Sequence, residues 1–161
     1  LIAAVNGVAA GGGMDLAHAC DIRLAARSAR FAETYAKIGL LPGGGGAWFL
    51  PRIVGTARAL ELLWTSDFLD AEQALAIGLV NRVHPDDALL DAAVALAARI
   101  AAMPPLSVRL IKRLVYQGMS ADMKTAFDLV SSHIAIARAG VDHAEAIAAH
   151  REKRPGTYEG F

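Results

Sequence analysis

Apolar positions in the first part of the chain come in short runs that are separated by glycine clusters. Residues 1–5 form a branched apolar run that ends at Asn6-Gly7, a pattern that predicts a buried strand followed by a turn. Residues 14–19 are good helix formers that follow three consecutive glycines, and residues 21–26 alternate as a second strand. The pattern therefore predicts a glycine-rich turn that leads directly into the N-terminus of a helix, between two strands.

Further along, the apolar positions repeat at helical spacing. Thr56 is predicted to cap a helix over residues 57–64, and Asp70 with Gln73 resembles a capping box that opens a helix over residues 71–77. Gly78 ends that helix, and a short strand is predicted next. The predicted strand covers residues 79–83, and the later helices cover residues 88–103, 106–116, 121–139 and 142–153.

Composition narrows the classes of protein that fit. The chain has 161 residues, 55% of them apolar and 20% charged, which is enough for one globular domain with a sizeable core. Sixteen basic and sixteen acidic residues balance, so no net charge favours nucleic acid or an anionic membrane. No apolar run approaches the roughly 20 residues of a membrane span. Cys20 is the only cysteine, which excludes an intrachain disulfide and favours a reducing, cytoplasmic location.

The two glycine-rich segments, residues 11–13 and 43–46, are the candidate functional segments of the chain. Glycines before a helix let backbone N–H groups approach a ligand, and the helix N-terminus favours an anion or a developing oxyanion. A close crossing of strand and helix also needs small residues, so the pattern alone leaves both interpretations open. The spacing does not match the dinucleotide or P-loop fingerprints or a nucleophile elbow. No arrangement of Cys and His predicts a metal site.

Several blocks of sequence then point to one family. They read IAAVNGVAAGGGMDL at residues 2–16, CDIR at 20–23, GLLPGGGG at 39–46, LPRIVG at 50–55, DAEQA at 70–74 and EKRP at 152–155. In this order they closely resemble the signature of the enoyl-CoA hydratase/isomerase (crotonase) family. The resemblance covers essentially the whole chain.

The resemblance implies an α/β, crotonase-like fold, built as a spiral of ββα turns followed by helices. Residues 1–86 would be the C-terminal part of the spiral core with its active-site loops, and residues 87–161 a helical region for oligomerisation. The family further implies an acyl-CoA thioester substrate, no cofactor beyond the coenzyme A that is part of that substrate, and a homotrimer or hexamer. Because the matched blocks begin well inside the family's fold, we expect the chain to be a truncated, C-terminal piece that is inactive alone.

The family's oxyanion site carries over to the first glycine cluster. One of its two donors maps onto the backbone N–H of Gly12, and the other would lie upstream of this sequence. The neighbouring Gly11 and Gly13 are expected to bind substrate, as is Gly43 in the second loop. Lys153 lies where relatives hold the phosphates of coenzyme A, with Arg154 beside it, although a basic end of a helix is an equally good interpretation.

The catalytic carboxylates are where this sequence departs from the family. Hydratases of the family use two glutamates, whose positions map to Asp15 and Tyr35, and isomerising relatives place an aspartate where Gly43 stands. One carboxylate is therefore kept, in a shorter side chain, and the other is replaced by a phenol. We expect His18 either to orient Asp15 or simply to be packed, and Glu33 to replace Tyr35 only if the backbone is rearranged.

Three functions remain open on this evidence. The family assignment is hydration of a 2-enoyl-CoA through a thioester enolate. The alternatives are a double-bond isomerase of an enoyl- or dienoyl-CoA that uses Asp15 as its proton carrier, and a catalytically weak paralogue that binds acyl-CoA.

Overall fold

A computed structural model describes residues 1–160 of the chain. The chain forms two compact units, the first covering Leu1–Ala95 and the second beginning at Leu96. The first unit combines strands and helices, and the second is helical. The division into a spiral core over residues 1–86 and an oligomerisation region over residues 87–161 stays a prediction.

Two three-stranded sheets form the frame of the first unit. In one sheet all strands are parallel, in the order β1 (Ile2–Val5), β3 (Ile22–Ala26), β6 (Arg82–His84). In the other, β2 and β4 are parallel and β4 and β5 antiparallel, in the order β2 (Val8–Ala10), β4 (Arg30–Ala32), β5 (Leu69–Asp70). Strands β1 to β4 thus alternate between the two sheets.

Helices connect several of these strands. The helices of the first unit are α1 (Gly12–Ala19), α2 (Gly46–Val54), α3 (Thr56–Thr65) and α4 (Ala71–Ala76), with 3₁₀ turns at Ala36–Ile38 and Asp86–Ala88. Helix α5 (Leu89–Ala101) follows. Helix α1 packs against β2 and α2, so the two glycine-rich segments that precede α1 and α2 lie side by side.

The core of the first unit is formed by large side chains from both the helices and the strands. The largest fully buried apolar ones are Phe31, Met14, Leu24, Leu50 and Leu79. Burying such a side chain contributes about 1.5–3 kcal/mol. Met14 immediately precedes Asp15 in α1 and Phe31 lies in β4, so the core fixes both elements that carry the site described below.

The second unit contains α6 (Pro105–Gly118), α7 (Met123–Ala139) and α8 (Val141–Glu152). Helix α6 packs against α7, and α7 against α8. No single helix among residues 1–160 is long and apolar enough to cross a membrane, although a bent pair, Asp86–Ala101 with Pro105–Gly118, has the joint length and composition.

Several predicted elements are confirmed. The glycine turn leads into α1, and strand β3 and the long helices match their predicted positions within about two residues. Asp70 and Gln73 form a complete capping box, in which each side chain bonds to the other residue's backbone N–H. Gly78 has a φ of 77°, the left-handed conformation that suits the end of a helix.

Other predictions are wrong in detail. Strand β1 is an edge strand of its sheet, so Ala4 is exposed and its neighbours are only half-buried. The cap of α3 is Gly55, not Thr56, which is the first residue of the helix. The strand predicted at residues 79–83 begins only at Arg82. Helix α2 was not expected, since it begins at Gly46 and contains Pro51.

Candidate active site

The first glycine cluster forms a tight turn at the start of α1. Gly11 precedes the helix with a φ of 51°, a conformation that side chains strongly disfavour. Its N–H donates to the carbonyl of Ala32 at 3.1 Å, and its carbonyl accepts from the N–H of Asp15 at 3.0 Å. Gly12, the first residue of α1, is exposed, and the N–H groups of a first helical turn have no partner within the helix. The turn thus presents an N–H donor at a helix N-terminus.

Asp15 lies in the first turn of α1 and is only 3% exposed. Its Oδ2 accepts two hydrogen bonds, from Tyr35 Oη at 2.5 Å and from the backbone N–H of Gly44 at 3.0 Å. Its Oδ1 is buried without a hydrogen-bond partner. One oxygen of Asp15 thus has two hydrogen-bond donors and the other has none, beside the N-terminus of a helix.

Tyr35 connects the buried carboxylate to the exposed end of α1. The hydrogen bond to Asp15, together with burial and the negative charge of Asp15, raises the pKa of Tyr35 to about 12. The phenol therefore remains protonated at neutral pH and acts as a donor. A Cβ atom placed on Gly12 would lie 3.8 Å from Tyr35 Oη, so the hydroxyl is adjacent to the predicted oxyanion donor.

The second glycine-rich segment covers the carboxylate. A Cβ atom on Gly44 would come within 2.7 Å of Asp15 Oδ2, and one on Gly46 within 2.5 Å of Asp15 Oδ1. Both distances are shorter than van der Waals contact permits. The absence of side chains at these two positions therefore allows the main chain to close over Asp15 and donate to it.

We expect Gly46→Ala to reduce both stability and any activity that depends on Asp15. The added methyl group must displace carboxyl oxygens that are already enclosed, and overpacking of this kind costs about 1–3 kcal/mol. Gly43→Ala is the matched control, because nothing lies within 4 Å of a Cβ atom at that position. Its stability in urea unfolding should stay within about 0.5 kcal/mol of the wild type. Equal stability of Gly46→Ala and Gly43→Ala would contradict the close packing of Gly46 against Asp15.

Behind Asp15 lies a second pair of titratable side chains, His18 and Glu33, each 1% exposed. His18 Nδ1 is 3.4 Å from Glu33 Oε1, without hydrogen-bond geometry. Burial, followed by the positive charge of Arg23, lowers the pKa of His18 to about 4. Burial, followed by the negative charge of Asp15, raises the pKa of Glu33 to about 7.

Asp15, His18 and Glu33 each offer one atom that could bind a metal, and these three atoms lie within 4.8 Å of one another. A divalent ion can be bound at this spacing. The backbone of Gly46 lies against both carboxyl oxygens and leaves little room for additional ligands on that side. We therefore describe the three residues as a buried polar cluster.

The structure brings together most of the residues that the sequence marked. Gly11, Gly12, Asp15 and Tyr35 meet at the start of α1, as described above. Gly13 is exposed in the first turn of α1, and Gly43 is exposed in the loop beside it. Lys153 belongs to the second unit, where it is exposed at the end of α8 with a φ of 55°. The structure of the first unit therefore does not test the predicted role of Lys153 in binding coenzyme A.

The structure adds one contact that the sequence did not predict, and it bears on two side chains whose roles the sequence left open. Gly44 donates to Asp15, and only its position within a glycine run marked it beforehand. His18 faces Glu33 and makes no hydrogen bond to Asp15. Arg154 forms ion pairs with Glu145 at 2.6 Å and with Glu152 at 2.5 Å, so its charge is neutralised within the second unit.

A positioned N–H donor beside a buried acid and a phenol, on an α/β frame, is typical of an enzyme that stabilises an anion and moves a proton. The family model described as enoyl-CoA hydratase/isomerase matches residues 1–160. The chain therefore belongs to the enoyl-CoA hydratase/isomerase family.

Individual relatives agree with this assignment. The chain is 40% identical over 158 residues to a crotonyl-CoA hydratase from Syntrophomonas wolfei, covering 98% of this chain and 61% of that protein. It is 39% identical over 160 residues to a 1,2-epoxyphenylacetyl-CoA isomerase from Escherichia coli, covering 99% of this chain and 61% of that protein. The chain thus spans about three fifths of the length of these two relatives.

A solved structure supports the crotonase-type α/β fold. The enoyl-CoA hydratase from Bacillus anthracis superimposes with a TM-score of 0.97 at 38% identity, covering 99% of this chain and 62% of that chain. Relatives with hydratase and with isomerase names are about equally similar, so similarity alone does not select one reaction.

Proposed function

We propose that the protein acts on an acyl-CoA thioester by stabilising its enolate and moving a proton on its acyl chain. The observation that carries the proposal is the buried Asp15, whose Oδ2 accepts a hydrogen bond from Tyr35 at 2.5 Å beside the N-terminus of α1. A thioester enolate carries its charge on oxygen, and a fixed N–H donor at a helix N-terminus stabilises such a charge. Gly12 N–H is the donor that we assign to this oxygen.

Asp15 and Tyr35 act as one proton carrier in this proposal. Asp15 is enclosed, so a substrate carbon would exchange its proton with the hydroxyl of Tyr35. When Tyr35 Oη accepts a proton from carbon, its own proton moves to Asp15 Oδ2, and the electron pair of the C–H bond remains on the enolate. In the reverse step Tyr35 gives a proton to carbon and recovers one from Asp15. Protons and charge balance in both directions.

A single carrier of this kind suits migration of a double bond better than hydration. Syn addition of water needs one group to deprotonate water while a second protonates carbon. Asp15 and Tyr35 together supply only one of these two groups, because a phenol with its pKa raised to about 12 cannot act as a base independently of Asp15. A hydratase of the family type remains the alternative, since relatives of that name are equally similar. The third candidate is an acyl-CoA-binding paralogue, which the loss of the second family carboxylate favours.

We expect the full-length protein to shift the double bond of a 3-enoyl-CoA at least tenfold faster than it hydrates crotonyl-CoA. The reason is that the shift needs only one proton carrier, which removes and returns a proton. Mass spectrometry separates the two, because hydration adds the mass of water and migration does not. Faster hydration than migration would select the hydratase, and binding of both thioesters without turnover would select the paralogue.

The two sheets of the first unit are proposed to be part of the family's ββα spiral, and the second unit its oligomerisation region. Helix α6 has no buried residue, and α7 buries only His133. Large apolar side chains, among them Ile111, Val115 and Phe127, are exposed on these helices. Exposed apolar surface of this kind commonly marks a protein interface.

We therefore expect the full-length protein to sediment as a trimer or hexamer at micromolar concentration. Phe127→Lys should weaken the assembly, because it places a charge on the apolar surface that we assign to the interface. Lys124→Glu on the same helix is a control, since Lys124 is largely exposed and, among the described residues, pairs with Asp128. A monomeric wild type would refute this part of the proposal, together with a role for Lys153 in binding coenzyme A across a subunit boundary.

A further inference from the structure

Glu33 is a buried carboxyl group that the proposed reaction does not use. It follows strand β4 directly, and neither of its oxygens has a hydrogen-bond partner in the described chain. Its Oε1 lies 3.4 Å from His18 Nδ1, without hydrogen-bond geometry. An ionised carboxylate enclosed in this way is costly, so the group requires either a proton or a partner.

The unpartnered oxygens of Glu33 and Asp15 face the same point. A Cβ atom on Gly46 would lie 2.5 Å from Asp15 Oδ1 and 2.7 Å from Glu33 Oε1. Asp15 and Glu33 also each contribute a carboxylate oxygen to a group of potential ligand atoms that lie within 4.8 Å of one another. Two unpartnered carboxyl oxygens thus meet in an enclosed place, behind the oxygen that Tyr35 holds.

The surrounding charges favour one proton on this pair. Asp15 already accepts two hydrogen bonds through Oδ2, from Tyr35 and from Gly44. His18 is neutral above about pH 4, since burial and Arg23 lower its pKa to that value. The guanidinium group of Arg23 donates to the backbone carbonyls of Ala17, Cys20 and Leu79. The pKa of Glu33 is raised to about 7, so Glu33 is the member of the pair that keeps the proton.

We infer that Glu33 is a positioning residue of the site, which as a neutral carboxylic acid donates a hydrogen bond to Asp15 Oδ1. Asp15 would then have both oxygens bonded and its charge and orientation fixed. The inference rests on the proposed function only for what Asp15 does in catalysis. Glu33 would supply a second carboxyl group from the segment that carries Tyr35. This group lies behind Asp15 and does not face the substrate in our proposal.

Infrared spectroscopy tests the protonation directly and needs no substrate. A protonated carboxylic acid has a carbonyl stretch at higher frequency than carboxylates and amides. We expect such a band in the wild type at pH 6, shifted in heavy water and absent in Glu33→Gln. Absence of the band from the wild type would overturn the inference. So would one equivalent of a divalent metal in the purified protein that Glu33→Gln and His18→Gln both remove.

Stability as a function of pH gives a second test. A raised pKa means that the folded state keeps a proton which the unfolded state loses, so the contribution of Glu33 to stability falls between about pH 4.5 and 7. The lowered pKa of His18 acts in the opposite direction, with a contribution that grows between about pH 4 and 6.5. Comparison with Glu33→Gln cancels the His18 contribution. The urea midpoint of Glu33→Gln should therefore rise relative to the wild type between pH 4.5 and 7, and a constant difference would overturn the inference.

Kinetics separate positioning from packing. Glu33→Leu leaves Asp15 Oδ1 unbonded, so we expect kcat to fall about tenfold or more with KM within about threefold. Glu33→Gln keeps an N–H donor and should recover most of that loss in kcat. Equal kcat values in the two variants would overturn the positioning role. A wild type with the infrared band but no turnover would refute the proposed function and leave the protonation of Glu33 standing.

Discussion

Replacing Asp15 by asparagine is expected to lower proton transfer on any acyl-CoA substrate by roughly a hundredfold or more. Asparagine keeps the shape of the side chain and can still accept a hydrogen bond through its oxygen, but it cannot take the proton that Tyr35 passes on. The loss should appear in kcat, while KM changes little, because the enclosed carboxylate does not contact the substrate in our proposal. Initial rates with a 3-enoyl-CoA measure this split.

Tyr35→Phe is the matched variant for this prediction. It removes the hydroxyl that connects Asp15 to the substrate and leaves the carboxylate itself, whose Oδ2 still accepts from Gly44 at 3.0 Å. If the two residues form one carrier, the double variant should be no slower than the slower single variant. Additive losses would show that Asp15 and Tyr35 act separately, and full activity in Asp15→Asn would show that the carrier lies elsewhere.

Removing the N–H of Gly12 is expected to have an effect of similar size. Gly12→Pro eliminates the donor, and the loss of one oxyanion donor costs roughly a hundredfold to a thousandfold in kcat. Proline is well tolerated at the first position of a helix, which is where Gly12 lies. We therefore expect the Gly12→Pro variant to fold. Turnover of the 3-enoyl-CoA measures the effect.

Gly12→Ala is the control for this substitution, because it keeps the N–H and introduces a methyl group no closer than 3.8 Å to Tyr35 Oη. Its loss should be far smaller than that of Gly12→Pro. Circular dichroism and oligomer size must first show that the proline variant is folded. A folded Gly12→Pro protein with the kcat of Gly12→Ala would show that this N–H does not face the thioester oxygen.

Local patterns predicted much of the fold because their causes are local. The capping box at Asp70 and Gln73 and the left-handed Gly78 are each decided within a few residues, and both are found. Helix α2 was missed because its first residue is a glycine and Pro51 lies inside it, which are both unfavourable signals. Its existence depends instead on tertiary packing against α1 and α3.

The candidate site was only half predictable for the same reason. The resemblance of the motifs marked Gly12, Asp15 and Tyr35, but it could not show that Tyr35 Oη lies 2.5 Å from Asp15. Glu33 was set aside because the sequence does not reveal its burial against Gly46. That contact joins two segments thirteen positions apart, and no spacing rule reports it.

Solvent deuterium uptake is the measurement that tests the central claim most directly, because it detects an enolate whether or not a product accumulates. The full-length protein would be incubated with a 3-enoyl-CoA in heavy water, and the thioester would be analysed by mass spectrometry. We predict deuterium at the α- and γ-carbons with the wild type, and uptake at least about a hundredfold slower with Asp15→Asn and with Gly12→Pro. Uptake by Asp15→Asn at the wild-type rate, or no uptake by a folded wild type that binds the thioester, would contradict the account.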